Sequence, residues 1–150
     1  MAMLAIAGCG SSDKKKSSSG SSGSNGALSY SDLDKQANTI CKAATDKVAP
    51  LSSKFTGQAA NDAPLYGQLL PVAKDRLAKL KALKPPAELK TTFDQYIALE
   101  NGQITAAASV QSAAQSGDDA AYKQALLVLK KGGIKSDDVA SKLGAVECTK

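Results

Sequence analysis

From Leu33 to Leu143, apolar residues recur at intervals of three and four, and this spacing constrains the fold more than any other feature of the sequence. Such spacing places apolar side chains on one face of an α-helix. Turn-forming residues at Gly57, Pro85-Pro86 and Gly117 divide the pattern into four helical segments. Short connections favour antiparallel neighbours, so the pattern predicts an all-α, up-down-up-down four-helix bundle.

The composition agrees with helices packed on helices. Ala and Leu are abundant, whereas the 150-residue chain has two Phe, four Tyr and no Trp. Small apolar side chains at close spacing suit helix packing better than a sheet. A chain of this length is expected to form one domain with one core, and residues 30–150 are expected to hold it.

Turn and cap residues predict where the helices begin and end. Asp62 is expected to cap the second helix, and Asp118-Asp119 is expected to open the fourth. We predict that Gly132-Gly133 interrupts the fourth helix. Ser136 would then cap a last short helix, with Asp137-Asp138 in its first turn, where carboxylates favour the helix dipole over a metal ion.

The chain starts with a short apolar stretch that ends at a cysteine, Ile6-Ala7-Gly8-Cys9. These residues resemble the lipobox of bacterial lipoprotein precursors, a Leu/Val/Ile, Ala/Ser/Thr, Gly/Ala, Cys pattern. The resemblance implies that the Cys9 sulfur carries a diacylglyceryl group and that signal peptidase II cleaves before Cys9. Because no Lys or Arg precedes Cys9, we expect residues 1–8 to be the end of a truncated signal peptide. The alternative is a chance apolar N-terminus of a cytosolic protein.

Residues 9–29 are expected to form the lipidated cysteine and a disordered Ser/Gly/Lys tether, because they offer almost nothing to bury. The run Lys14-Lys15-Lys16 either lies near anionic lipid headgroups or simply keeps the tether soluble. No segment reaches the ~18–20 apolar residues that a membrane-spanning helix needs. The sequence therefore predicts a protein on the extracytoplasmic face of the cell membrane, held there by its lipid.

Once Cys9 is lipidated, Cys41 and Cys148 remain as a pair. Outside the cytoplasm two such cysteines normally form a disulfide. In an up-down-up-down bundle, the start of the first helix and the end of the last lie at the same end, so the two cysteines are expected to meet there. The alternative is two unpaired buried thiols, and the chain lacks a C-x-x-C motif that would favour a redox role.

Several function classes receive little support. The chain contains no histidine, which removes the commonest general base and the commonest metal ligand. We therefore expect no catalytic residue, no metal and no cofactor. The formal net charge is +5, but Lys14-Lys15-Lys16 supplies three of these charges and the rest is nearly balanced. A nucleic-acid partner is not expected, because a clustered basic face is missing.

One polar cluster is expected inside the bundle. Glu100 falls on the apolar face of the third helix, between Ile97 and Ile104. Antiparallel pairing with the second helix places Arg76 about one turn from Glu100, and the Tyr96 hydroxyl is a candidate third member. The cluster is either the polar part of a ligand pocket between helices or an ion pair that fixes helix register.

Three motifs in the helical part are similar to those of small helical lipoproteins of actinobacteria. They are A-N-x-I-C at 37–41, L-x-x-L-K-x-L-K-P-P-A-E-L at 77–89 and L-G-x-x-x-C at 143–148. The resemblance implies a fold and supplies no catalytic residue.

Two functions remain as expectations from the sequence. The leading hypothesis is a non-catalytic, lipid-anchored module that binds or scaffolds a protein partner in the cell envelope. The alternative is a carrier or sensor of a small ligand, with a polar site around Arg76, Glu100 and Tyr96. An enzyme is the least favoured class, because the chain lacks a recognisable catalytic set.

Overall fold

The structure, a computed structural model, describes residues 26–149. They form four α-helices and two 3-10 turns: α1 (Tyr30–Ser52), α2 (Ala59–Lys81), a turn (Ala87–Leu89), α3 (Lys90–Gln115), α4 (Asp119–Lys142) and a C-terminal turn (Val146–Thr149). The described part contains no β-strand, so the all-α prediction is confirmed. The lipobox and most of the proposed tether lie outside the described residues.

The helices pack in chain order as an up-down-up-down bundle. The central helix α3 packs closely against both α2 and α4, and α1 packs against α2. The backbones of α1 and α4 do not pack closely on each other; instead, the C-terminal turn contacts both helices. The bundle is therefore closed between α1 and α4 by this short turn at one end and stays more open along the rest of that seam.

Side chains with hydrogen-bonding groups set the helix ends. The Ser29 hydroxyl accepts a hydrogen bond from a backbone N–H of the first turn of α1, and the Asp118 carboxylate accepts two such bonds in α4. Gly117 and Gly144 have φ values of 70° and 77°, a left-handed conformation that favours glycine after the end of a helix. These ends agree with the predicted stops after the third and fourth helices.

The prediction that Gly132-Gly133 interrupts the fourth helix is wrong, because α4 is continuous through both glycines. At Gly132 the missing Cβ leaves room for the side-chain amide of Gln103 on α3. Glycine costs about 1 kcal/mol relative to alanine in a helix interior. Extensive packing of α4 on α3 outweighs that penalty, since tertiary burial stabilises helices more than propensity does.

The continuous helix also changes the roles of the residues that follow the glycines. Ser136 is buried in the middle of α4 and caps nothing. Asp137 and Asp138 likewise lie inside α4 instead of in the first turn of a new helix. The capping role predicted for these three residues is therefore wrong.

Buried apolar side chains form two separate clusters, one toward each end of the bundle. The disulfide-end core consists of Leu33, Ala37, Cys41, Leu80, Phe93, Tyr96, Val139, Ala140, Leu143, Ala145 and Cys148. The opposite-end core consists of Ala59, Tyr66, Val110, Ala114 and Tyr122. No single cluster spans the described bundle, and this division leaves space at its middle.

The disulfide end is locked by the motifs that the sequence singled out. Cys41 and Cys148 form a disulfide with a Cα–Cα distance of 4.9 Å, so the predicted pairing is confirmed. One turn before Cys41, the Asn38 amide donates to the Gly144 carbonyl at 3.0 Å and accepts from the Glu147 N–H at 2.8 Å. Residues 37–41 and 143–148 thus hold the C-terminal turn against α1.

Candidate functional site

A pocket of about 290 Å³ lies at the middle of the bundle, between the two cores. All four helices contribute to its wall, which is mostly apolar. Its lining residues are Ala44, Thr45, Val48, Tyr66, Leu69, Leu70, Val72, Ala73, Arg76, Glu100, Gln103, Ile104, Ala107, Leu129, Gly133, Ser136, Asp137 and Cys148. Because α1 and α4 stay apart along this stretch, the pocket lies on their seam next to the C-terminal turn, whose Cys148 contributes to its wall.

The polar part of the pocket is built around Glu100 of α3, which is 3% exposed. Its Oε2 pairs with the Arg76 guanidinium of α2, and its Oε1 accepts a hydrogen bond from the Ser136 hydroxyl of α4. Three helices therefore meet at one carboxylate. The structure brings Arg76 and Glu100 together as the sequence predicts, and both carboxylate oxygens are occupied.

Helix geometry explains why these three side chains converge. Arg76 and Glu100 lie at matching heights because α2 and α3 run antiparallel across the proline hairpin. Ser136 reaches the same height only because α4 continues past its two glycines. Gly133, one turn before Ser136, also lines the pocket, and a Cβ added at Gly133 would meet no atom within 4 Å.

Two groups at this site have hydrogen-bonding capacity that the protein does not use. Arg76 Nε is buried and has no hydrogen-bond partner among the described residues. The half-buried Asp137 carboxylate lines the pocket and forms no hydrogen bond or salt bridge within residues 26–149. Burial, and then the charges of Glu100 and Asp138, raise the pKa of Asp137 above its ordinary value, while Arg76 acts in the opposite direction.

Tyr96, the third residue of the predicted cluster, lies elsewhere. It is fully buried in the disulfide-end core and does not line the pocket. Its hydroxyl lies 3.9 Å from Cys41 Sγ and bonds to neither Arg76 nor Glu100 in the described structure. Burial, followed by the nearby Glu100 charge, raises the pKa of Tyr96. Tyr96 therefore packs the core beside the disulfide.

A second buried carboxylate, Asp62, lies at the opposite end of the bundle and has a different role from the predicted cap. The N-cap of α2 is Gln58, whereas Asp62 lies inside the helix. Its oxygens accept hydrogen bonds from the Thr56 N–H at 2.8 Å, the Thr56 hydroxyl at 3.0 Å, the Gly57 N–H at 2.9 Å and the Tyr122 hydroxyl at 2.7 Å. Asp62 thereby ties the loop between α1 and α2 to α4.

The hydrogen bonds determine the ionisation of Asp62. Burial by itself would raise the pKa of this carboxyl group, but the four donors favour the ionised form. Bonds from Thr56, Tyr122 and Gly57 together hold the pKa of Asp62 below its ordinary value of 3.8. Because every acceptor position is in use and Asp62 is fully buried, this second carboxylate has no capacity left for a ligand.

Most polar groups at the pocket are already bonded to other groups of the protein. Glu100 accepts a hydrogen bond at each oxygen, at Oε2 from Arg76 and at Oε1 from Ser136. Within residues 26–149, no three His, Cys, Asp or Glu side chains converge as a metal site would require. What remains is a mostly apolar pocket with a charged, partly unsatisfied patch, the usual composition of a small-molecule site.

Comparisons with protein-family models, with curated proteins and with solved structures find no match to this chain. Among residues 26–149, none of the helices combines the length and the apolarity that crossing a lipid bilayer requires. The assignment of a function therefore depends on the geometry of this chain alone.

Sequence reasoning missed Ser136, Asp137 and Gly133 as parts of the pocket. A signal existed, because Gly133 follows Leu129 by four positions, and Ser136 and Asp137 follow Gly133 by three and four. The expected break at Gly132-Gly133 concealed it, since residues on either side of a break share no helical face. The role of Asp62 had no comparable signal, because its partners come from a loop and from α4.

Proposed function

We propose that this protein is a non-catalytic binding module, anchored through Cys9 to the extracytoplasmic face of a cell membrane, that holds a small, mostly apolar molecule in the interhelical pocket. The pocket itself carries this proposal. Its polar patch consists of groups drawn from three helices, Arg76, Glu100 and Ser136, and it retains the unsatisfied Asp137. An ion pair that only fixed helix register would not need an open space beside it.

The size of the pocket supports a ligand more than a packing fault. Protein interiors are close-packed, and the voids that occur are few and small. A cavity of about 150 Å³ holds benzene, so a pocket of about 290 Å³ offers room for roughly a dozen non-hydrogen atoms. This size corresponds to a small amphiphile or a short acyl or aromatic compound.

The disulfide supports the proposed location. Disulfides persist in oxidising compartments and are rare in the cytosol. The described residues begin at Gly26, at the same end as Cys41 and Cys148, so a tether from Cys9 would place the disulfide end toward the membrane. Two or three acyl chains on one cysteine give stable attachment, because each buried methylene contributes about 0.8 kcal/mol.

The anchor is tested by Cys9→Ala in a precursor that carries a complete lipoprotein signal peptide. We expect the variant to leave the membrane fraction and to partition into the aqueous phase of a detergent extraction. Ser11→Ala is the matched control and should stay with the detergent phase. If Cys9→Ala partitions as the parent protein does, the lipid anchor is ruled out.

The pocket is tested by thermal unfolding of the full chain with and without 1-octanol. A ligand that binds only the folded state raises its stability by mass action. We expect 1-octanol to raise the melting temperature of the parent chain and of Gly102→Leu, but not of Gly133→Leu. Both glycines lie in helix interiors with open space at the Cβ position, yet only Gly133 lines the pocket. Equal shifts in all three proteins would contradict binding in the pocket.

A protein partner in the envelope is the second candidate function, and the outer face of α4 favours it. Leu127, Val128 and Ile134 are 53%, 55% and 56% exposed, and Leu127 and Ile134 share a helix face. A photo-crosslinking residue at Ile134 should give one discrete adduct in intact cells, whereas the same residue at exposed Lys90 of α3 should give none. A smear at both positions would argue against a specific partner.

A further inference from the structure

The charges that line the pocket do not balance. Three side chains that carry a charge when ionised near neutral pH line it in the described structure, the cation Arg76 and the anions Glu100 and Asp137. Arg76 forms its salt bridge with Glu100, and Asp137 forms none within residues 26–149. No lysine lines the pocket in the described structure. The charges that line the pocket therefore sum to one negative charge when Asp137 is ionised.

The position of Asp137 makes this charge available to a bound molecule. Asp137 lines the same pocket as Arg76 and Glu100, and its carboxyl group is near enough to both for their charges to act on its pKa. The rest of the wall comes from aliphatic residues such as Val48, Leu69 and Ile104. A charged group placed at the patch would thus lie next to an apolar chamber.

From this charge balance and this division of the wall, we infer that the pocket selects a molecule with one cationic head group, such as a protonated primary amine, on a compact apolar body. The inference rests on the proposed binding function and specifies its ligand class. The ammonium group pairs with Asp137, and the apolar body fills the space between the two cores.

An anionic ligand fits the same site poorly. Among the described residues, Arg76 is the one cation that lines the pocket, so an added carboxylate would have to share it with Glu100 while it faces the negative charges of Glu100 and Asp137. Like charges in a partly buried site repel strongly because the surroundings screen them little. The formal net charge of the whole chain, +5, would by itself attract anions. A preference for a cation therefore has to arise locally, at the pocket.

Three probes of equal chain length separate these possibilities: octylammonium, 1-octanol and octanoate, each titrated calorimetrically into the full chain near neutral pH. We expect octylammonium to bind at least about tenfold more tightly than 1-octanol, and octanoate to bind more weakly than 1-octanol. Asp137→Asn should bring the affinities for octylammonium and 1-octanol within about threefold of each other. Asp138→Asn is the matched control, because Asp138 is an exposed neighbour that does not line the pocket.

The outcomes distinguish this inference from the proposed function. The cationic ligand class and the proposed binding function are both supported if the preference for octylammonium disappears in Asp137→Asn and persists in Asp138→Asn. Equal affinities for the three probes, or tightest binding of octanoate, together with loss of all binding in Gly133→Leu, would keep the pocket and overturn the cationic ligand class. A preference that survives Asp137→Asn would also overturn it. If none of the probes binds the parent chain, the small-molecule function itself is contradicted.

Discussion

The two ends of the bundle are closed by different means. At the disulfide end, the Cys41–Cys148 bond and the Asn38 side chain fasten the C-terminal turn to α1. At the opposite end the described structure has no covalent link, and the buried carboxylate of Asp62 joins the first loop to Tyr122 of α4. One closure depends on oxidation and the other on ionisation, so each end is held without help from the other.

The middle of the bundle differs from both ends in how far its buried polar groups are hydrogen-bonded. Asp62 has donors for both of its oxygens, whereas Asp137 and Arg76 Nε at the pocket have capacity to spare. Because the ends hold the helices in place, the middle need not be packed for stability. The comparison teaches that fully satisfied buried polar groups serve the fold here, and that unsatisfied ones mark the candidate site.

The largest effect is expected from removing the covalent closure. Cys41→Ala/Cys148→Ala should lower the free energy of unfolding by about 4–5 kcal/mol, since the bond joins residues 107 apart and restricts the unfolded chain. Urea denaturation of the parent chain and of the double variant measures this loss in free energy of unfolding. A reductant should weaken the parent chain to a similar extent and leave the double variant unchanged. A loss below about 1 kcal/mol would mean that the bond is not what closes this end.

The non-covalent closure is probed by Asp62→Ala. This change leaves the Tyr122 hydroxyl and the donors of Thr56 and Gly57 without their acceptor, so we expect a loss of about 3–4 kcal/mol in the same denaturation assay. Asp75→Ala, which removes an exposed carboxylate paired with Lys79, is the control and should leave the free energy of unfolding nearly unchanged. Similar losses for both variants would remove the distinction between a buried closure and a surface pair.

The ion pair at the pocket should respond differently to single and paired substitution. Glu100→Ala leaves the Arg76 guanidinium without its counter-charge and should cost about 3 kcal/mol. Arg76→Met/Glu100→Leu replaces both charges with apolar groups of similar size and should stay within about 1 kcal/mol of the parent chain. Both are measured by urea denaturation. If the double variant is as unstable as Glu100→Ala, the pair is essential to the fold and the contrast with Asp62 weakens.

Acid should weaken the end that Asp62 closes. Its pKa is depressed below 3.8 in the folded state, so its contribution is fully present above that value and is lost as the pH falls through the folded pKa. The loss from one proton is limited to about 1.4 kcal/mol per pH unit. The stability difference between the parent chain and Asp62→Asn should therefore shrink in this acid range. A constant difference down to about pH 2 would contradict the ionised state of Asp62.

The smallest change in stability is expected at Asp137. The sign of its pH dependence is opposite to that at Asp62. A carboxyl group whose pKa is raised by folding destabilises the protein when it is ionised, so stability is gained as the pH falls through that raised pKa. Asp137→Asn should stabilise the ligand-free chain by about 0.5–1 kcal/mol at neutral pH. Asp138→Asn should change the stability of the chain by less. A destabilised Asp137→Asn would indicate that Asp137 supports the fold.

Much of the local structure was predictable from short stretches of sequence. The periodic apolar positions predict the four helices, and Asp118, Gly117 and Gly144 mark ends that the structure confirms. These features depend on backbone conformation and on bonds within one turn, which neighbouring residues decide. The prediction of a break at Gly132-Gly133 was wrong because it considered only the low helix propensity of glycine. The packing of α4 against α3, which outweighs that propensity, is not visible in a short stretch of sequence.

The composition of the site was predictable only in part. Arg76 and Glu100 are adjacent because two antiparallel helices share a short hairpin, and this relation can be read from their distances to the prolines. Ser136 and Asp137 enter from a third helix, whose height against the others depends on its continuity. Tyr96 has suitable spacing, but side-chain packing turns its hydroxyl toward Cys41 instead.

The sequence alone determined that this chain forms helices, how many, and which two cysteines in the folded part join, because periodicity, turn residues and the cysteine positions act over short or countable distances. Only the tertiary structure decided that the apolar side chains divide into two cores with a charged pocket between them. A cavity is the space that packing leaves unfilled, and its shape and charge depend on four helices at once.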